Sequence, residues 1–114
     1  MKIFNRVKGI VGESVATEYL KKQKYKILER NYKNQIGEID IIAKDKKDLV
    51  FVEVKARSSE MFGRPCEAVD FRKQQKIHSV ASVYLKEHKL EDCEFRFDVI
   101  EVLDGVVNHI KDCF

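Results

Sequence analysis

Residues 37–57 read GEIDIIAKDKKDLVFVEVKAR. Two apolar runs with a period of two flank the polar tetrapeptide Asp45-Lys46-Lys47-Asp48, which predicts two strands joined by a hairpin. With that tetrapeptide as the loop, Lys44 opposes Leu49, Ile42 opposes Phe51, Asp40 opposes Glu53 and Glu38 opposes Lys55. One face then carries Ile39, Ile41, Ala43, Val50, Val52, Val54 and Ala56, all apolar. The other face is divided: Ile42, Leu49 and Phe51 lie near the loop, while Glu38, Asp40, Glu53, Lys55 and Arg57 gather at the far end.

A solvated face would scatter its charges along both strands; here they collect beside an apolar patch. Directly opposed residues stand roughly 4.5–5.5 Å apart at Cβ, and like charges there are destabilising. Asp40 across from Glu53 therefore needs a positive neighbour or a raised pKa. Two readings meet that need. In one, a wet salt-bridge network pairs Glu38 with Lys55. In the other, Lys55 supplies part of the charge and a hard, oxygen-seeking cation, Mg²⁺ or Mn²⁺, supplies the rest.

Outward from this hairpin, residues 6–23 read as a helix with Gly9, Gly12, Glu13, Ala16 and Leu20 on one face and Tyr19 at its edge. Glycine in a helix interior costs roughly 1 kcal/mol against alanine, so two on one face imply close approach to a strand or a ligand. Residues 25–32, 36–44 and 48–57 read as strands, and a polar, glycine-containing loop covers 58–70. Asp70 suits the N-cap of a second helix over 71–87, with Ile77, Val80, Ala81 and Tyr84 inward and Arg72, Lys73, Gln74, Lys76 and Lys86 outward. Residues 93–103 alternate as a strand, and Asp104-Gly105 predicts a type I′ turn into a last strand over 106–111. A helical crossover between the third and fourth strands makes them parallel. The expected architecture is a mixed five-stranded sheet with helices on both faces, a three-layer α/β/α fold in one domain over 1–114.

Length and composition agree. The 114 residues are 44% apolar and 36% charged, with 22 basic against 19 acidic side chains and a net charge of +3. That suffices for one core, and the mild positive charge is compatible with a polyanionic partner without demanding one. No apolar run approaches the roughly 20 residues that span a bilayer, and the start MKIFNRVKG lacks a signal-peptide core, so a cytoplasmic protein without membrane association is expected. Cys66, Cys93 and Cys113 form no CxxC pair and read as three separate thiols. His78, His88 and His109 occur singly and read as non-catalytic.

With these residues in hand, the chain resembles the PD-(D/E)xK, restriction-endonuclease-like nucleases, and within them the YraN-like family of small bacterial proteins. The resemblance runs through Gly12-Glu13, Ala16 and Tyr19-Leu20; Tyr25, Ile27-Leu28 and Arg30-Asn31; Gly37-Glu38-Ile39-Asp40; and 50–57. It continues in Phe62-Gly63, Glu67-Ala68-Val69, Lys73-Gln74, Tyr84-Leu85 and Arg96-Phe97-Asp98-Val99. One departure is visible: Ile39 stands where a proline is usually written before the first aspartate. The resemblance implies a fold similar to that of archaeal Holliday-junction resolvases.

It further implies that Asp40, Glu53 and the Val54 carbonyl hold Mg²⁺ or Mn²⁺, and that Lys55 orients or helps deprotonate the attacking water. Glu13 takes the place of a helix-borne carboxylate, and Gln74, with Lys73, a supporting position on the second helix. Arg57, Arg72, Lys73 and Lys76 become candidates for phosphate contacts. The expected activity is endonucleolytic cleavage of DNA, with branched or junction DNA as a structure-selective substrate. The rivals are a catalytically inert nucleic-acid-binding or scaffold protein and a protein-interaction module. A junction-resolving role would call for a homodimer with two active sites.

Overall fold

The computed structural model describes residues 2–57 and 69–114. Its elements in chain order are α1 (Lys2–Lys22), β1 (Lys26–Lys33), β2 (Glu38–Asp45), β3 (Asp48–Arg57), α2 (Phe71–Glu87), β4 (Phe95–Leu103) and β5 (Val106–Ile110). The strands form one sheet in the order β1-β2-β3-β4-β5. Only β3 and β4 run parallel, joined through α2, and the other neighbours are antiparallel. This is the expected mixed α/β arrangement, compatible with a restriction-endonuclease-like fold. Residues 58–68, which hold most of the expected loop, Phe62-Gly63, Glu67-Ala68 and Cys66, lie outside the described residues, as does the setting of Gly9.

Among the described residues each sheet face carries one helix. Ala16 and Leu20 of α1 pack with Tyr25 on Ile41, Ala43, Val50, Val52, Ile100 and Val102. On the opposite face, Ile77, Val80, Ala81, Tyr84 and Leu85 of α2 pack on Ile42, Leu49, Phe51, Phe97 and Val99. Gly12 explains how α1 comes so close: a Cβ built there would lie 3.4 Å from Ala56 Cβ and 3.8 Å from Val54 Cγ1.

Asp70 caps α2, its carboxylate accepting the Lys73 N–H at 2.9 Å. Both helices end with a residue at positive φ, Lys24 at 71° and Lys89 at 55°. The N–H of the next residue then reaches back five residues, Tyr25 to the Leu20 carbonyl and Leu90 to the Leu85 carbonyl. These are Schellman closures built on lysine, where glycine is the usual choice. Asp104 and Gly105 sit at φ 50° and 77°, as a type I′ turn requires.

Two expectations need correction. Ile39 does not share a face with Ile41; it packs with Ile42 on the α2 side. Strict alternation cannot put residues three apart on one face, so β2 changes its facing around Asp40. Nor are all the cysteines thiols: Cys93 is free, but Cys113 is disulfide-bonded.

Candidate functional site

The β2–β3 hairpin is tighter than the tetrapeptide reading, since Asp45 pairs with Asp48 and only Lys46-Lys47 turn, Lys46 at φ 56°. The register is as expected, with Lys44 opposite Leu49 and Ile42 opposite Phe51. Pairing stops, however, at Ile41–Val52. Beyond that point Asp40 Oδ2 accepts the backbone N–H of Val54 at 2.8 Å. A side chain thus satisfies a main-chain donor that the ladder no longer reaches, and the strands part there with acidic groups between them.

Asp40 and Glu53 are both buried, at 9% and 6% exposure. Burial is the larger cause, and the neighbouring Glu53 carboxylate the next, that pushes the Asp40 carboxyl up to about 8. Glu13, reaching over from α1, pushes the same way, while the Val54 N–H and Lys73 oppose it. The Glu13 carboxylate therefore acts electrostatically on Asp40.

Two lysines complete the group. Lys73 Nζ stands 2.7 Å from Glu53 Oε1. Burial alone would lower the Lys73 ammonium, yet its hydrogen bond and charge attraction to Glu53 hold it above its ordinary value. Lys55 is half-buried, and burial followed by the charge of Lys73 lowers its pKa. Glu38 takes no part: it is exposed and faces Lys33 at 3.5 Å. The wet network pairing Glu38 with Lys55 is thus replaced by a group in which buried Asp40 and Glu53 meet the half-buried Lys55, Lys73 and Glu13.

The other candidates fall elsewhere. Gln74 turns back on its own helix, donating to the Val69 carbonyl at 2.8 Å. Arg57 is buried, and its Nη1 donates to Glu101 Oε2 at 2.7 Å, so its charge is engaged inside the fold. Arg72 and Lys76 are exposed on α2, which also carries Lys73 into the acidic group. Asn31 was legible only as part of the resemblance. With its amide nitrogen turned toward α1, it donates to Glu13 Oε2 at 3.1 Å and Oε1 at 3.3 Å.

A second polar group lies on the α1 side of the sheet. Asp98, fully buried, bonds His109 Nε2 at 2.7 Å and accepts from Arg96 Nε at 3.1 Å and the Asp112 N–H at 3.0 Å. Arg96 continues to the Tyr25 hydroxyl and Asp45, and His109 Nδ1 to the Tyr19 hydroxyl. Burial alone would raise Asp98, but the bonds from His109, the Asp112 N–H and Arg96 hold it below its usual value. This group stitches α1, β2, β4, β5 and the residue preceding β1 together.

Among the described residues no three His, Cys, Asp or Glu side chains converge into a ready-made metal cage. The donor chemistry at Asp40 and Glu53 nevertheless fits a hard divalent cation. Both are oxygen donors, and Glu53 and Glu13 each add acidic charge about Asp40. Mg²⁺ keeps several waters and is commonly held by only one or two carboxylates, so no closed cage is needed.

Comparison with known proteins gives one consistent answer. The sequence model of the family described as "Uncharacterised protein family UPF0102" matches residues 12–102. A UPF0102 protein of Clostridioides difficile (strain 630) is 52% identical over 112 residues, covering 96% of this chain and 98% of that protein. One from Caldanaerobacter subterraneus subsp. tengcongensis is 49% identical, covering 99% of this chain and 98% of the relative. Another, from Clostridium kluyveri, is 42% identical over all of this chain and 98% of its own. The chain belongs to the UPF0102 family, the YraN family its motifs resemble.

Proposed function

We infer that this protein is a metal-dependent endonuclease that hydrolyses phosphodiester bonds in DNA, with branched or junction DNA as the structure-selective substrate to test. One observation carries the reading: two buried carboxylates, Asp40 and Glu53, stand on neighbouring strands where the pairing ends, with a half-buried lysine, Lys55, two residues from Glu53. Burial of like charges is unfavourable for a fold that gains nothing else from it, and perturbed groups of this kind concentrate at functional sites.

Asp40, Glu53 and the Val54 carbonyl would hold Mg²⁺ or Mn²⁺, which when bound supplies an activated water and neutralises charge on the phosphate. Lys55 orients the attacking water and faces the developing negative charge. Water adds to phosphorus, the bond to one ester oxygen breaks, and that oxygen leaves with a proton as a free hydroxyl. Arg72 and Lys76, exposed on α2, hold the flanking phosphates.

A cleavage screen on linear and branched DNA with Mg²⁺ or Mn²⁺ tests this. Asp40→Ala, Glu53→Ala and Lys55→Ala are each expected to abolish cleavage while the protein stays folded. Undiminished cleavage by all three variants refutes the assignment. A second reading, an inert nucleic-acid-binding protein on the same fold, is favoured by the Lys73–Glu53 contact, which already neutralises one carboxylate at 2.7 Å. It predicts salt-sensitive DNA binding with no turnover under either metal.

A further inference from the structure

Asn31 lies within β1 yet has a left-handed backbone, φ 52°. Non-glycine residues rarely adopt this conformation, asparagine more readily than most, and in mid-strand it is a local strain. Strain of that kind persists where something else fixes it, and it clusters at functional sites. Nothing in the core requires it here, because Asn31 is exposed.

What the conformation does accomplish is visible from its neighbours. Arg30 pairs with Ile41 and Tyr32 with Ile39, which sets Asn31 across from Asp40. From that position its amide nitrogen reaches both Glu13 carboxylate oxygens, at 3.1 and 3.3 Å. Amide oxygen and nitrogen are told apart by their partners, and only the nitrogen can donate to a carboxylate. The same Glu13 carboxylate acts electrostatically on Asp40. Asn31 therefore links α1 to the sheet beside the first of the two buried acids.

We propose that Asn31 is a positioning residue: its left-handed backbone aims the amide at Glu13 and holds that carboxylate on the Asp40 side of the sheet, where its charge favours a cation held by Asp40 and Glu53. The proposal rests on the reading of Asp40 and Glu53 as a cation site. Residues that orient a metal-binding carboxylate typically contribute 10- to 100-fold in metal affinity.

Calorimetric titration with Mn²⁺ tests it on the purified full chain. Asn31→Gly keeps the positive φ and removes only the amide. It is expected to weaken Mn²⁺ binding about tenfold or more, and Glu13→Gln at least as much. The Asn31→Gly, Glu13→Gln double variant should bind no more weakly than Glu13→Gln alone, because the amide acts through that carboxylate. Asn31→Ala should match Asn31→Gly in Mn²⁺ affinity but unfold at a lower temperature, separating the side chain from the backbone. Wild-type affinity in Asn31→Gly, or losses that multiply in the double variant, overturns the proposal and leaves the nuclease reading standing. No Mn²⁺ binding by the wild-type protein overturns both.

Discussion

Asp40 Oδ2 accepts the backbone N–H of Val54 at 2.8 Å, at the point where β2 and β3 cease to pair main chain to main chain. This one bond accounts for two features of the molecule. It takes up a donor that the parting strands release, and it fixes an acidic side chain beside Glu53 in a buried setting. The fold thereby accepts an electrostatic penalty at Asp40, which burial and the Glu53 carboxylate impose.

That penalty has a sign that can be measured. The Asp40 carboxyl is raised to about 8 by burial, then by Glu53, whereas in the unfolded chain it titrates near 3.8. Between those values the folded state binds the extra proton, so stability falls as pH rises from about 4 to about 8. Urea unfolding in chelator at pH 5 and pH 8 should show a loss on the order of a few kcal/mol in the wild-type protein. Asp40→Asn should reduce that loss sharply, and saturating Mn²⁺ should flatten it in the wild type. An unchanged slope in Asp40→Asn contradicts the placement of the proton.

At the acid end a different group governs stability. Asp98 is held below its ordinary value of 3.8, so its contribution is complete above that pH and is lost as pH falls through the folded value. Asp98→Ala leaves Arg96 and His109 without their buried partner. A cost of about 3–5 kcal/mol in urea unfolding at pH 7 is expected. A loss below about 1 kcal/mol would show the network to be dispensable.

The basic residues divide by where their charge is engaged. Arg57 is buried against Glu101 at 2.7 Å, so Arg57→Ala should lower stability by about 3–5 kcal/mol. Arg72 and Lys76 are exposed. Arg72→Ala and Lys76→Ala should leave unfolding unchanged and each reduce the slope of log K against log salt for DNA by about 0.9. Fluorescence anisotropy across a salt series measures this. A wild-type slope in both variants would remove α2 from the DNA-facing surface.

Gly12 sets the distance between α1 and the sheet. A methyl group there meets Ala56 Cβ at 3.4 Å, which the packing can tolerate. Gly12→Ala is therefore expected to stabilise slightly, by about 0.5 kcal/mol, as helix propensity outweighs crowding. Gly12→Leu should cost about 1–3 kcal/mol by overpacking and, by displacing Glu13, weaken Mn²⁺ binding as well. Thermal unfolding and titration of the same samples check both parts.

Much of this molecule was written in local pattern. Alternation over 48–57 and the apolar stripe Ile77, Val80, Ala81, Tyr84 gave β3 and α2 their observed limits, and Asp104-Gly105 its turn, because each signal is satisfied within a few residues. Asp40, Glu53 and Lys55 were legible as a charged end beside an apolar patch. Other features had no local signature. Lys24 and Lys89 close their helices where glycine would have signalled an end, and no CxxC spacing announced that Cys113 is disulfide-bonded.

The amino-acid order by itself determined the succession of strands and helices, though α1 starts at Lys2 and not near residue 6, that β3 and β4 run parallel, and that acidic and basic side chains crowd one end of a hairpin. Tertiary structure alone decided which of those charges meet. Lys73 reached Glu53, Arg57 turned to Glu101, Gln74 folded back on its helix, and Asn31 found Glu13. The physical reason is that periodicity fixes the side a residue faces, whereas long polar side chains choose partners by burial and charge across elements far apart in the chain.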